Sequence, residues 1–599
     1  MISFDDLSGG TSVNLNPIYM SLNILSQQQQ TFESDLNDMM IDIQMISNSV
    51  STLTGGGSAE YYITASSTNT DKLPFCYNLK DSVVGFSFTD KYIDINMNGY
   101  DFKTNTVYNS TTTMSDFKLN GAAYMSGNSF QNISKCDFNG MVAYSNTLSS
   151  IQNVFGNCNG ISNNTLIENT MEDLKAYGMA KMSISNFTQL NLKFHSMASQ
   201  TIRGGSMINC LGDSFAGNSF SYDGLVNFRG LTASHNTFTL MTSVSLIANT
   251  IGRCAFSSMS NVSLNGYDIS WNTIGKAKTF DFSCDDFYAN MFDNTMRKIG
   301  GYANSMRNNT FLNYVTKFDF SGFYVSSNVF DNITNCNFDV VSFSENVNTN
   351  TDNVIQLFNL TAESANYNQL ANIKNANFNV ASLVENTFTN VSNLNFNGLV
   401  FSINSFPSFV GNANIQNETF IGNDFSAVRN LRIDNHICSY NTFSYITNAD
   451  IRCVSFSENQ IEASVFNGMF KGESNRISAI YGNFTGSMNS NVIHVLDGKF
   501  EGVLKANLIH ASDSENGSIY INNLASAMGL ANTVNDCQKV TVIGNRAGYF
   551  FSNIKSLWVE NMLPNDTFRS VGTIFYSFSR NTPTSNVSYV SAVSHYSFV

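Results

Sequence analysis

The chain has 599 residues, of which 42% are hydrophobic and 13% aromatic, with 13% charged and a formal net charge of -14 at pH 7. That apolar content excludes a solvated disordered chain, and 31 Lys plus Arg against 45 Asp plus Glu leave no basic surface for nucleic acid. No segment reaches the ~18 consecutive apolar residues of a membrane span, and Asp5 and Asp6 stand where a cationic signal-peptide start would be, so neither membrane insertion nor secretion by a signal peptide is expected.

Two residue types are over-represented: asparagine, at about 85, and phenylalanine, at 49. The ten cysteines, Cys76 through Cys537, fall singly with no C-x-x-C. They read as small apolar fillers, not as zinc ligands or a disulfide framework, and no cofactor is implied.

Residues 1–15 form a short peg ahead of a helix start at Asn16-Pro17, a capping side chain followed by proline at the first helical position. A heptad then runs through 16–54. Leu22, Gln29, Leu36, Ile43 and Val50 fall at a, and Leu25, Phe32, Met39, Ile46 and Leu53 at d. A period held at 3.5 predicts a coiled coil; Ile43 and Ile46 at a and d favour three parallel strands, with Gln29 setting register. The trimer contacts expected are therefore Leu22, Leu25, Phe32, Leu36, Met39, Ile43, Ile46, Val50 and Leu53. Gly55, Gly56 and Gly57 follow as a joint. Residues 58–119 are β-rich but off the later repeat, and are expected to cap its first edge.

From 120 to 545 the triplet Asn, small residue, apolar residue recurs, from Asn128/Phe130 to Asn507/Ile509 and including Asn249/Ile251 and Asn294/Met296. Between Asn386 and Asn491 the steps are 18, 19, 18, 18, 16 and 16. Apolar columns hold the same register ten residues on (Phe138, Phe338, Phe378, Phe396) and fifteen on (Ala143, Phe343, Leu383, Phe401). Three inward columns per repeat predict three short strands per coil, hence an all-β parallel β-helix. The asparagines are expected at a bend, taking a left-handed backbone and hydrogen-bonding coil to coil. Charges at Glu172, Asp173, Lys175 and Lys181 suggest an insertion near there. Residues 546–599, where the Asn column stops, are expected to form a β-rich tip.

Candidate site residues are sparse. Trp271, directly before Asn272, is a sugar-stacking candidate, and Arg429 with Arg432 a small patch for an anionic sugar. The step of 16 relates His494 to His510 and Asp497 to Asp513, a possible metal column if both types face one cavity. Asp285 and Asp286, the adjacent acidic pair of the solenoid, read as a solvated turn.

Peg, heptad rod, glycine joint, Asn-rich β-helix and aromatic tail in this order resemble the tail fibres and tailspikes of bacteriophages. The resemblance implies a homotrimer of the virion, joined to other virion proteins by its amino end, with the body contacting a bacterial surface glycan or receptor. The leading expectation is host attachment without bond cleavage. The alternatives are a tailspike depolymerase, which needs two placed carboxylates, and a bacterial surface adhesin, which needs an export signal.

Overall fold

A computed structural model describes residues 75–598, apart from 79–82, 86, 89–91, 109–113, 169–170, 222–223, 313, 349–353, 506, 512–517, 524–531, 544–548, 560–565, 577–587 and 590–594. The heptad residues Leu22 through Leu53, the peg, the glycine joint and Asp513 lie outside the described residues. The chain divides into two compact units, Met1–Asn169 with Asp173–Ala180, and Thr170–Glu172 with Lys181–Val599. Both are parallel β-solenoids, of about 24 turns together, and no helix occurs among the described residues.

In the first unit, Phe75–Asn78 pairs in parallel with Tyr92–Asn96, which pairs with Met114–Ser126. Ser129–Tyr144 then pairs with Thr147–Ser162 in unbroken steps of eighteen, Phe130 against Leu148 and Ile133 against Ile151. Parallel pairing is thus not confined to 120–545: coils already run through the segment expected as a separate cap. In the second unit the same holds at the far end, where Tyr549–Val559 pairs in parallel with Thr567–Tyr576.

One coil of the second unit shows how the sequence sets the path. After the rung residue Asn386, Phe388, Val391, Leu394, Phe396 and Phe401 point inward and are buried, while Asn395, Asn397 and Leu399 point out. Leu394 to Asn397 alternate with the period of a strand, whereas the three-residue spacing from Phe388 to Val391 spans a bend at Asn390, φ 54°. Two inward columns absent from the sequence reading, those of Val391 and Leu394, complete the core. Like residues stack coil on coil: Phe406 and Phe425 lie 4.2 Å apart and nearly parallel, and Phe220, Phe238 and Phe256 follow one another at 5.2 Å. Such ring pairs add about 0.5–1.5 kcal/mol each beyond area burial.

Buried asparagines form a ladder from coil to coil. Asn404 Oδ1 accepts both the backbone N–H and Nδ2 of Asn386, and Asn386 Nδ2 also donates to the carbonyl of Ala365. Every polar group of the rung is satisfied, which is what burial requires. The left-handed backbone expected of these asparagines belongs instead to the residue before each: Glu345, Glu385 and Glu458 have φ of 56°, 56° and 54°. The turn is made there, and the asparagine after it locks the coil.

Several rungs differ from the sequence reading. Asn249 and Asn294 are exposed and off the ladder; the rungs of their coils are Cys254, which accepts Asn236 Nδ2 at 3.8 Å, and Asn290. Gln200 takes a rung and binds the backbone N–H of Met182, itself at a rung position eighteen residues earlier. The insertion expected near Met182 is therefore absent; the long steps are 23, from Asn105 to Asn128, 22, from Asn346 to Asn368, and 25, from Asn507 to Asn532. Beyond Asn532 the column continues through buried Tyr549 to buried Asp566, whose Oδ1 accepts the Tyr549 N–H.

The nine cysteines from Cys136 to Cys537 are buried and form no disulfide, and burial pushes the thiols of Cys158 and Cys453 up to about 12. They fill core volume, as the sequence suggests.

Candidate functional site

The second unit carries an open groove of about 620 Å³ across the strands Ala277–Tyr288, Met296–Arg307, Val315–Ser326, Ile333–Asp339 and Leu357–Asn366. Its axis is a register column, Asp281, Gly300, Asp319, Asn337, Asn359. Two glycines lie in its floor. Gly300 belongs to the outward column but is buried, and a Cβ there would stand 3.0 Å from Asp281 Oδ1 and 3.6 Å from Lys298 Nζ. Gly301 is inward-facing, and the Phe282 ring fills the space its side chain would need, 2.4 Å from a built Cβ. Asp281 and Asp319 flank Gly300 from two coils, or about 9.6 Å, apart along the backbone. Lys298, Ser321, Asp339 and Thr361 complete the groove's walls.

Asp319 is the fixed point. Lys317 Nζ donates to its Oδ2 at 2.6 Å and Asn337 Nδ2 to its Oδ1 at 2.7 Å. Partial burial raises its carboxyl, but these hydrogen bonds and the charges of Lys317 and Lys298 outweigh it and hold the group below its ordinary 3.8. Behind Asn337 runs a one-directional chain: Asn395 donates to Asn377, Asn377 to Asn359 and Asn359 to Asn337, at 2.9, 2.8 and 2.7 Å. The direction is opposite to that of the buried ladder, in which each asparagine donates to the following coil. Chained amides polarise one another and end here on an anion that strengthens the chain. The groove thus presents carboxylates, an ammonium, amides and hydroxyls beside the rings of Phe282, Phe320 and Phe338, an arrangement that can hold hydroxyl groups and the apolar face of a sugar together.

A second constellation lies on another face of the same unit. Asp268 and Asp286 are register partners in adjacent coils. Arg307 reaches Asp286 with Nε at 3.2 Å while lying 5.0 Å over the Tyr288 ring, and Trp271 meets Tyr288 edge-on at 5.7 Å. Burial raises the Asp268 carboxyl above 3.8; the Ser270 hydrogen bond opposes this and the Asp286 charge adds to it.

The sequence candidates are placed as follows. Trp271 stands on the left-handed corner before Asn272, φ 57° and 42% exposed. It is not in the groove. Arg429 and Arg432 are exposed, but Arg432 has Asp450 as its register partner and Asp434 two residues on, so no cationic patch forms. His494 and His510 are register partners with ring centroids 5.1 Å apart, and His510 Nδ1 lies 3.0 Å from Asp536. Asp497, however, pairs with Ser518, displaced by the long step after Asn507. Among the described residues no three His, Cys, Asp or Glu are placed to hold a metal ion. Of Asp285 and Asp286, the first accepts Asn304 on the surface and the second is the partner of Arg307. The groove residues escaped the sequence reading; the one local signal was Gly300-Gly301 inside a strand, which marks close approach or a missing side chain.

Comparison with known proteins returned no match: no family model, curated protein or solved structure aligns significantly with the chain.

Proposed function

We propose that the chain is an attachment protein, a trimeric virion fibre or spike of the bacteriophage tail-fibre type, whose solenoid holds a surface glycan without cleaving it. The observation that carries this reading is the groove at Asp281, Gly300 and Asp319: open, lined by both polar groups and phenylalanine rings, and joined to a hydrogen-bonded amide chain. Carboxylates and amides accept and donate to sugar hydroxyls, and a solenoid backbone holds them in place, so little ordering entropy opposes binding. The order of peg, heptad rod and solenoid in the sequence supports a trimer with its amino end on the virion.

One feature favours a second reading, glycan cleavage. Inverting glycosidases hold two carboxyl groups about 6.5–9.5 Å apart, and Asp281 and Asp319 line one groove from two coils apart. Against it, Lys317 and Asn337 hold the Asp319 carboxyl below its ordinary value, which unfits it as a proton donor. The test is incubation of the purified full chain with bacterial surface polysaccharide. Retention of the polymer at unchanged length is the expected result; release of reducing ends would replace attachment with cleavage.

A further inference from the structure

Beyond the groove, on the same outward face, three successive coils carry the sequences NANFN, NLNFN and NANIQ at 375–379, 393–397 and 412–416. In each, the first, third and fifth residues point outward, and the coils are in register: Asn375 against Asn393, then Asn412; Asn377 against Asn395, then Asn414. The result is a three-by-three field of side-chain amides, spaced about 4.8 Å between coils and about 6.6 Å along each strand.

No charged side chain interrupts it, in a chain that is acidic overall. Its members are held by one another. Asn412 donates to Asn393 at 2.7 Å, Asn393 to Asn375 at 2.9 Å and Asn375 to the carbonyl of Gln356 at 3.1 Å. Each such bond uses one N–H and one lone pair, while a side-chain amide has two of each. Asn375, Asn377, Asn393 and Asn412 each donate one such bond and accept one, which leaves each of them one donor and one acceptor for solvent. The field joins the groove through Asn359 and Asn337, so the two form one polar surface. At its other end the next coil brings charges back, Arg432 and Asp434.

We propose that this amide field binds a neutral, extended polysaccharide lying across successive coils, with sugars meeting one coil after another. This rests on the attachment reading and adds the ligand's class and direction. A neutral ligand follows from the field's lack of charge together with Asp281, Asp319 and Asp339 at its groove end, which repel an anionic polymer. A hydroxylated ligand follows because a hydroxyl, like an amide, both donates and accepts. An extended one follows from the regular repeat: each added sugar reaches another rigid row, with no side chain to order.

The experiment measures binding by the full chain of a panel of neutral polysaccharides (dextran, mannan, galactan, cello-oligosaccharides) and of uronate polymers (alginate, hyaluronate), each from disaccharide to long chain. The variants are Asn393→Ala with Asn395→Ala in the field and Lys298→Ala in the groove, with melting temperature measured throughout. Expected is binding of a neutral member whose affinity rises with chain length, and which the field variant weakens at least about tenfold for long chains but leaves unchanged for a disaccharide. Equal affinity for short and long chains, or long-chain binding lost in Lys298→Ala and untouched in the field variant, would overturn this inference and leave attachment standing. Binding of uronate polymers alone would do the same. Binding of no glycan at all would overturn both.

Discussion

Asn386 sends its backbone N–H and its side-chain Nδ2 to a single atom, Oδ1 of Asn404, each at 3.0 Å. Its own Oδ1 receives the same pair from Asn368, at 3.0 and 2.9 Å. Asn386→Ala therefore strands donors on Asn368 and the Ala365 carbonyl in the interior. With unsatisfied buried groups costing about 1–3 kcal/mol each and not adding fully, a loss of about 3–5 kcal/mol is expected. The denaturation midpoint of the variant measures it.

The ladder's imperfect rung gives a prediction of opposite sign. Cys254 Sγ meets Asn236 Nδ2 at 3.8 Å and the Ala233 carbonyl at 3.6 Å, weak contacts where other rungs have amide bonds near 2.9 Å. Cys254→Asn should restore them and raise stability by about 1–2 kcal/mol, on about 1 kcal/mol net per hydrogen bond. An unchanged or lower melting temperature would contradict this.

Core and surface positions of one coil should separate cleanly. Phe388 is fully buried and stacks on Phe406 at 5.0 Å, whereas Glu385 is exposed. Phe388→Ala should cost about 3–5 kcal/mol as a core truncation. Glu385→Ala keeps the same left-handed backbone and should shift stability by less than about 0.5 kcal/mol. Both are read from denaturant unfolding.

Two groups should give opposite pH trends. Burial, the His510 charge and the Arg476 charge lower His494 below its ordinary 6.5, so its stabilising contribution is present above 6.5 and lost as pH falls through the depressed value. Asp268 is raised above 3.8: its contribution is complete below 3.8 and lost as pH rises through the raised value. His494→Asn should therefore flatten the acid side of the stability profile. Asp268→Asn should raise stability at pH 7 and leave it unchanged near pH 3. Thermal melts across that range check both.

The repeat was legible in the sequence because one step near 18 carries both polar rungs and apolar columns, so Asn386, Phe388, Phe396 and Phe401 could be placed together. Asn249 and Asn294 were misplaced since, in a chain this rich in asparagine, the same triplet arises off register. Cys254, Gln200, Tyr549 and Asp566 take rungs that only backbone pairing reveals. The continuation of the coils past 545 was hidden because the rung changed residue type, not because the pairing ended. The groove was the least legible part. Asp281, Gly300, Asp319, Asn337 and Asn359 are 18 to 22 residues apart and become neighbours only when the coils stack.

The claim that the groove holds a glycan is tested most directly by filling it. Gly300 lies in the outward column without a left-handed φ, covered only by the flexible side chains of Asp281 and Lys298, so Gly300→Trp should push those aside, project a ring into the groove between Asp281 and Asp319 and leave the buried ladder intact. Titration calorimetry of the wild-type chain and this variant with the best-bound polysaccharide, beside a melting curve for each, is the measurement. The account predicts binding by the wild type, loss of at least about tenfold in affinity in the variant, and unchanged melting. Equal binding by both would contradict it.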